Sequence, residues 1–242
     1  LPVVPEHWSL LKVKYMFKER TQKGFPQEPL LAATQTKGVV PKSLYENRTV
    51  TAQKDLHLLK LVCPGDFVIS LRSFEGGIEL AHYRGIISPA YTVLEPGRHV
   101  CIPYYALLLK SQLFIDNLTL FVTGIREGQN IEFEKFSRSL LPVPPLDEQE
   151  AIARFLNYKL KELDQLIAMY RRLVGFSRSA TERKGSLLFE YRTRLISDVI
   201  TGGLDVRQTE LPGTELSIES EADPSTSDLE ELLEDEIPEA IV

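Results

Sequence analysis

Three short segments carry the side chains best suited to chemistry. Thr34-Gln35-Thr36-Lys37-Gly38 is a polar turn that follows the apolar run LLAA. Its hydroxyl, amide and amine groups, beside a glycine, suit phosphates or base edges, and they are also ordinary turn residues. Arg72-Ser73-Phe74-Glu75-Gly76-Gly77 follows the strand-like FVISL. An arginine fork beside two glycines sits where backbone can come close to a ligand; the plainer alternative is a hairpin with a surface arginine. Gly124-Ile125-Arg126-Glu127-Gly128-Gln129-Asn130 is a polar loop. Arg126, Gln129 and Asn130 are the types that pair two hydrogen bonds with guanine or adenine edges. The candidate nucleic-acid contacts are therefore Gln35, Lys37, Arg72, Ser73, Gly76, Arg126, Gln129 and Asn130, with Tyr83, Arg84 and Tyr91 beside them.

No catalytic pattern stands. There is no Walker A loop and no G-x-G-x-x-G, so no phosphate or dinucleotide cradle is readable. An Asn-Pro-Pro-aromatic motif for amino methylation is also missing. The lone Glu-x-Lys, Glu182-Arg183-Lys184, lies in a polar link without an evident acidic partner. Ser73 has no glycine-framed elbow and no evident histidine partner. His7, His57, His82 and His99 are scattered, and Cys63 and Cys101 stand alone, which reads as buried free thiols and no zinc framework. The expectation is a chain with no catalytic residue, no metal and no cofactor of its own.

The elements that must position these loops are an α+β body over residues 1–140 and a helical arm over 141–205. Residues 206–242 form a polar, acidic tail expected to be disordered. In the body, FVISL and IISPAYTVL read as strands, and Ile102 to Phe121 as one buried core helix with Pro103 in its first turn. Tyr104, Tyr105 and Phe114 are read there as packing residues. The arm opens after Pro142, Pro144 and Pro145, with Asp147 as N-cap and Glu150 completing a capping box. Leu156, Leu163 and Tyr170 fall on one heptad position, and Leu160, Ile167 and Val174 on the other. That seam calls for a second helix along a span of roughly 42 Å. A second helical run carries Leu188, Tyr191 and Leu195 and ends at Thr201-Gly202-Gly203. The eleven-residue link Gly175 to Gly185 fits either a continuous helix or a loop between antiparallel helices.

The net charge of −6 hides an asymmetry. Residues 210–242 hold 12 acidic residues and no Lys or Arg, which leaves 28 basic against 22 acidic in residues 1–209. A mildly basic body suits a nucleic-acid binder. No apolar run approaches 18 residues and no signal peptide is visible, so a soluble, cytoplasmic protein is expected. The chain begins at Leu1, as expected of a processed product or the C-terminal part of a longer one.

The segments LPVVPEHWSLLKVKYMF, GDFVISLRSFEGGIELAHYRGIISPAYTVL, GIREGQNIEFEKFSRSLLPVPPLDEQEAIARFL and EYRTRLISDVITGGLDVR resemble, in this order, the specificity subunit of type I DNA restriction–modification systems. The prolines followed by LDEQ, paired with LISDVITGGLD, are the specific part of the match. Such subunits usually hold two units in tandem, and this chain resembles one, best the second. The resemblance implies a non-catalytic subunit that reads one half of a bipartite target in double-stranded DNA. It implies a coiled-coil rod that docks modification and restriction subunits, which would carry S-adenosylmethionine, ATP and Mg. A second recognition unit would come from the same subunit or from a homodimer copy. Gly175 to Gly185 departs from the pattern; as continuous helix it would lengthen the rod by roughly 16 Å. A coiled-coil scaffold that binds protein, and a nuclease using Glu182, are the alternatives from other classes.

Overall fold

A computed structural model describes residues 4–44, 55–123, 130–174 and 178–209, with side chains given outside 123–130 and 171–186. The element order is strand β1 (Ser9–Lys12), one helical turn α1 (Val13–Met16), β2 (Phe17–Glu19), and the hairpin β3 (Leu31–Thr34) and β4 (Gly38–Pro41). Next come β5 (Lys60–Val62), β6 (Phe67–Ile69), the single turn α2 (Ser73–Gly76), β7 (Glu79–Leu80), β8 (Gly85–Ile87) and β9 (Thr92–Pro96). Helices α3 (Ile102–Leu108) and α4 (Gln112–Leu118), strands β10 (Val122–Thr123) and β11 (Asn130–Ile131), α5 (Phe133–Phe136) and β12 (Leu140–Val143) complete the body. Two long helices follow, α6 (Leu146–Val174) and α7 (Arg178–Ile200). The mixed α+β class read from the sequence is the one observed.

The central sheet runs β2-β9-β6-β7, every pair antiparallel. Its inner strands β6 and β9 are apolar at successive positions, Phe67-Val68-Ile69 and Val93-Leu94, because both faces are covered there. Phe67, Ile69 and Leu94 point into the larger core with α3, α4 and the arm base. Val68 and Val93 point to the opposite side, into a smaller core with Leu31, Val39, Val62, Ala81 and Ile87. The hairpin β3–β4 and the ribbon β5–β8 supply that second layer. Phe17, Phe67, Tyr104 and Tyr105 meet edge-on in the larger core, at 5.0–5.8 Å between ring centres. Tyr104 and Tyr105 are fully buried, as their packing role requires, and burial drives both phenols well above the ordinary range.

The stretch from Ile102 to Phe121 is two helices rather than one. Leu109 closes the first, and Ser111 caps the second, its Oγ accepting from the Phe114 N–H at 3.3 Å. Serine in that place competes for backbone groups and favours a new start over helix interior. Helix α6 also begins two residues ahead of expectation. The Gln149 N–H donates to the Pro145 carbonyl, so Asp147 lies inside the first turn and is not the cap. Its charge still faces the positive end of the helix dipole.

The arm is rooted in the body. β12 pairs with β1, which brings Leu141 and Val143 into the larger core. Ile152, Ala153, Phe155, Leu156, Val199, Ile200 and Val206 join them, so both the start of α6 and the end of α7 are core elements. The two helices therefore lie side by side and antiparallel, with Arg192 of α7 paired to Asp164 of α6. That antiparallel lay excludes one continuous helix and with it the 16 Å extension, while Arg178 to Gly185, most of the link in its reading as a loop, is helix within α7. Among the predicted seam residues Leu156, Leu160 and Leu163 are buried, Ile167, Tyr170, Leu188 and Leu195 are half-buried, and Tyr191 is exposed. Tyr191 is thus not buried in the seam; the side chain of Val174 lies outside the described residues. Residues 210–242 lie outside them as well, while Val206, assigned to the tail by sequence, is buried at the arm base.

Three contacts hold the arm at its base. Gln149 is fully buried; its Nε2 donates to the carbonyls of His99 and Pro144 at 3.1 and 2.9 Å, and its Oε1 accepts from the Cys101 N–H at 2.9 Å. The Tyr104 hydroxyl donates to the Ile200 carbonyl at the end of α7, at 3.0 Å. Gly202 has φ +76°, and a Cβ there would lie 2.5 Å from Pro5 and 2.9 Å from Trp8. Glycine ends the helix in the left-handed conformation and leaves room for the chain start. Gln149→Ala removes three bonds and strands buried backbone groups. It is expected to cost roughly 2–4 kcal/mol in urea unfolding, with Gln149→Glu no rescue because its carboxylate has no proton for the two carbonyls.

Candidate nucleic-acid interface

The β3–β4 turn is built to hold exposed side chains on a fixed backbone. The Thr34 Oγ1 donates to the Gly38 carbonyl at 2.9 Å and accepts from the Lys37 N–H at 3.0 Å. Gly38 has φ +72°, and a Cβ there would meet the Leu80 carbonyl at 2.6 Å, so the turn lies directly on β7. Gln35, Thr36 and Lys37 project from it, all exposed.

Beside this turn stands α2. Its Gly76 backs onto Gln35, whose Cγ lies 2.9 Å from where a Cβ would be. Gly77 follows with φ +81°, where a Cβ would strike the Leu109 carbonyl at 2.4 Å, and the Ile78 N–H donates to that same carbonyl. Arg72 is exposed just ahead of α2, and its guanidinium makes no hydrogen bond or ion pair among the described residues. β11, the strand of Asn130, packs against α2 from another side. Gln35, Lys37, Arg72, Ser73 and Gly76 thus share one neighbourhood, although about forty residues separate the two segments in sequence. The backbone of Asn130 lies beside them, paired with Thr123. Its side chain, and all of Arg126 and Gln129, lie outside the described residues.

Within this group the roles divide. Ser73 is buried, with its Oγ accepting from the Ser70 N–H at 2.8 Å. It shapes the turn and has no free face for a nucleic acid, contrary to the expectation from its position. Gly76 serves by having no side chain. Gln35, Lys37 and Arg72 are the side chains that point outward.

Tyr83, Arg84 and Tyr91 belong elsewhere. Tyr83 and Tyr91 are half-buried against the smaller core, and the Tyr91 carbonyl accepts from the Lys60 ammonium at 2.8 Å. Arg84 bonds Glu28 at 2.7 Å and lies over the Phe25 ring at 5.8 Å. Its bond to Glu28 holds the guanidinium pKa above its usual value. That commitment makes it a bracket for the Phe25–Pro29 loop.

One residue the sequence did not single out is central. Lys110, between α3 and α4, donates to the Glu79 carboxylate at 2.7 Å and to the Gln35 carbonyl at 2.8 Å. Glu79 is buried; desolvation raises its pKa, and the bond to Lys110 opposes that. The only sequence signal was a lysine closing the apolar run ALLLK. Nothing near Glu79 in sequence marks it as its partner.

A cleft of about 210 Å³ lies apart from these loops, at the arm base, lined by His7, Ser9, His99 and Gln149 among others. His7 there bonds Glu148 at 2.8 Å. No group of His, Cys, Asp or Glu among the described residues is arranged to hold a metal. Cys63 and Cys101 are free and half-buried. Glu182 to Lys184 fall within α7, where their side chains lie outside the described set. Among the described residues no helix is long and apolar enough to cross a membrane.

The architecture is a mixed α/β body with a polar loop cluster, rooted on a pair of long antiparallel helices. The fold is that of the specificity subunits of type I restriction–modification systems. The HsdS subunit from Thermoanaerobacter tengcongensis matches with a TM-score of 0.50 and 16% identity, over 71% of this chain and 47% of that one. A chain from a structure described as the structural basis of complex assembly and conformational transition of the type I R-M system matches at 17% identity and a TM-score of 0.43. It covers 84% of this chain and 48% of that one. The type I S subunit from M. genitalium matches at 17% identity and a TM-score of 0.41, over 81% and 49% of the two chains. The chain spans about half the length of the solved structures it matches. No protein-family profile and no curated protein matches the sequence.

The adjacent glycines of α2 make a sharp comparison. Gly76→Ala meets only a flexible glutamine and is expected to leave stability within about 1 kcal/mol, with NMR shift changes centred on residues 34–37. Gly77→Ala meets backbone at a left-handed φ and is expected to cost about 2 kcal/mol or more in chemical unfolding.

Proposed function

We propose that this chain is one recognition unit of a type I restriction–modification specificity subunit, reading one half of a bipartite target in double-stranded DNA. The observation that carries the reading is the convergence of Gln35, Lys37 and Arg72 at α2, exposed on a backbone held by buried contacts. Sequence reading needs polar side chains whose positions do not wander, because a bidentate contact with a base edge fails when the donor pair is displaced. Arg72 has the fork for a guanine edge or a phosphate, Gln35 the amide for an adenine edge, and Lys37 the point charge for a phosphate. Arg126, Gln129 and Asn130 are further candidate readers by residue type, and the backbone of Asn130 lies on β11, which packs against α2.

The arm is the docking element in this proposal. Leu166, Met169, Leu187 and Tyr191 on its helices are about half exposed or more, and Phe189 is 69% exposed. Apolar side chains of that size along a helical pair suit a partner surface. Modification and restriction subunits dock there, together with a second recognition unit from the same subunit or a second copy. The unit itself contributes no catalytic group; S-adenosylmethionine, ATP and Mg belong to the partners. The same account predicts function inside the cell, where the target DNA is.

Binding of a duplex by the purified chain is expected to weaken linearly in log K against log salt. Arg72→Ala and Lys37→Ala are each expected to reduce that slope by about 1 when the side chain meets a phosphate. Loss of sequence preference with an unchanged slope would instead mark a base contact. Duplex binding with no salt dependence, or none at all by folded protein, would reject the reading.

A further inference from the structure

We infer that Lys110 is a positioning residue for the reading turn, fixing Gln35 through a tether anchored on the buried Glu79 rather than meeting DNA phosphate itself. The inference rests on the DNA-reading proposal for the meaning of the turn, but its geometry stands alone. A lysine beside a basic, polar loop cluster is the kind of residue normally counted as a phosphate contact. Here its ammonium is already engaged. It bonds Glu79, whose side chain is 5% exposed, at 2.7 Å, and the Gln35 carbonyl at 2.8 Å. Two of its three protons are thereby assigned to groups on β7 and on the turn.

The location gives the tether leverage. Lys110 follows Leu109, whose carbonyl accepts from the Ile78 N–H and lies against Gly77. The same backbone therefore supports α2 and, through one side chain, the turn that packs on α2. Gln35 contributes only a weak side-chain contact to Glu75, at 3.5 Å, so its main-chain carbonyl is where the turn is gripped. A buried carboxylate keeps the ammonium from swinging to solvent, because leaving Glu79 ionised and alone would be strongly unfavourable. Reader position is thus set from the core, through Glu79 and Lys110, to Gln35.

The test uses the whole chain. Lys110→Met is paired with the double variant Lys110→Met/Glu79→Gln, which removes the unpaired buried charge, and with Lys110→Arg, which can keep both bonds. In free protein, amide hydrogen exchange at residues 35–38 is expected to speed by about tenfold or more in the Met variants and to be restored by Arg. In a duplex selection, preference for the selected sequence over random duplex is expected to fall by about tenfold or more, while the salt slope stays unchanged. Unchanged exchange would overturn the positioning role, and a slope lowered by about 1 with preference intact would make Lys110 a phosphate contact instead. If wild-type protein selects no duplex, the DNA reading fails, while the exchange result still decides whether Lys110 holds the turn.

Discussion

Gln149 is the constraint on which the rest of the architecture leans. It sits one turn into α6, fully buried, and uses both amide protons and its oxygen on backbone groups of the body and of the approach to the helix. No apolar residue can replace it without stranding the Cys101 N–H and two carbonyls. The result is a fixed angle between the long helix and α3, whose Tyr104 in turn holds the end of α7. With Gly202 packed on Pro5 and Trp8, the chain start, the arm and the body share one core. A stalk attached this way keeps a fixed orientation relative to the body.

The loop cluster around α2 depends on the other side of the same sheet. Because β6 and β9 alternate between two cores, the β3–β4 hairpin is held by apolar packing below and by Gly38 against β7 at its tip. Rigid backbone with exposed side chains is a demanding combination, since the entropy of ordering must be met by contacts that leave the exposed polar groups free. The turn meets it with Thr34, Gly38 and Lys110, none of which needs to touch a ligand.

Much of the fold was legible in the residues. The strand FVISL, the proline stop before the arm, the helical spacing from Leu156 to Leu163 and the glycine end of α7 each follow from local chemistry, and each appears in the structure. The split of the 102–121 helix was signalled by Ser111 but outweighed by the apolar run around it. The antiparallel fold of the arm was one of two readings of an eleven-residue link, and only tertiary packing of Val199 and Ile200 decides it. For the site, residue type pointed to Gln35, Lys37 and Arg72, which the fold brings together. It also pointed to Ser73 and Arg84, which the fold spends on its own bonds. Sequence has no register for that distinction, nor for the pairing of Lys110 with Glu79 across 31 positions.

The most direct measurement is selection from a randomised duplex pool by the purified chain, read by sequencing at two salt concentrations. The account predicts enrichment of one short contiguous motif, or two inverted copies at fixed spacing when the chain pairs with itself. Enrichment should survive at the higher salt while random binding falls. A folded protein that enriches no motif at either salt would contradict the assignment of this chain as a reader of DNA sequence.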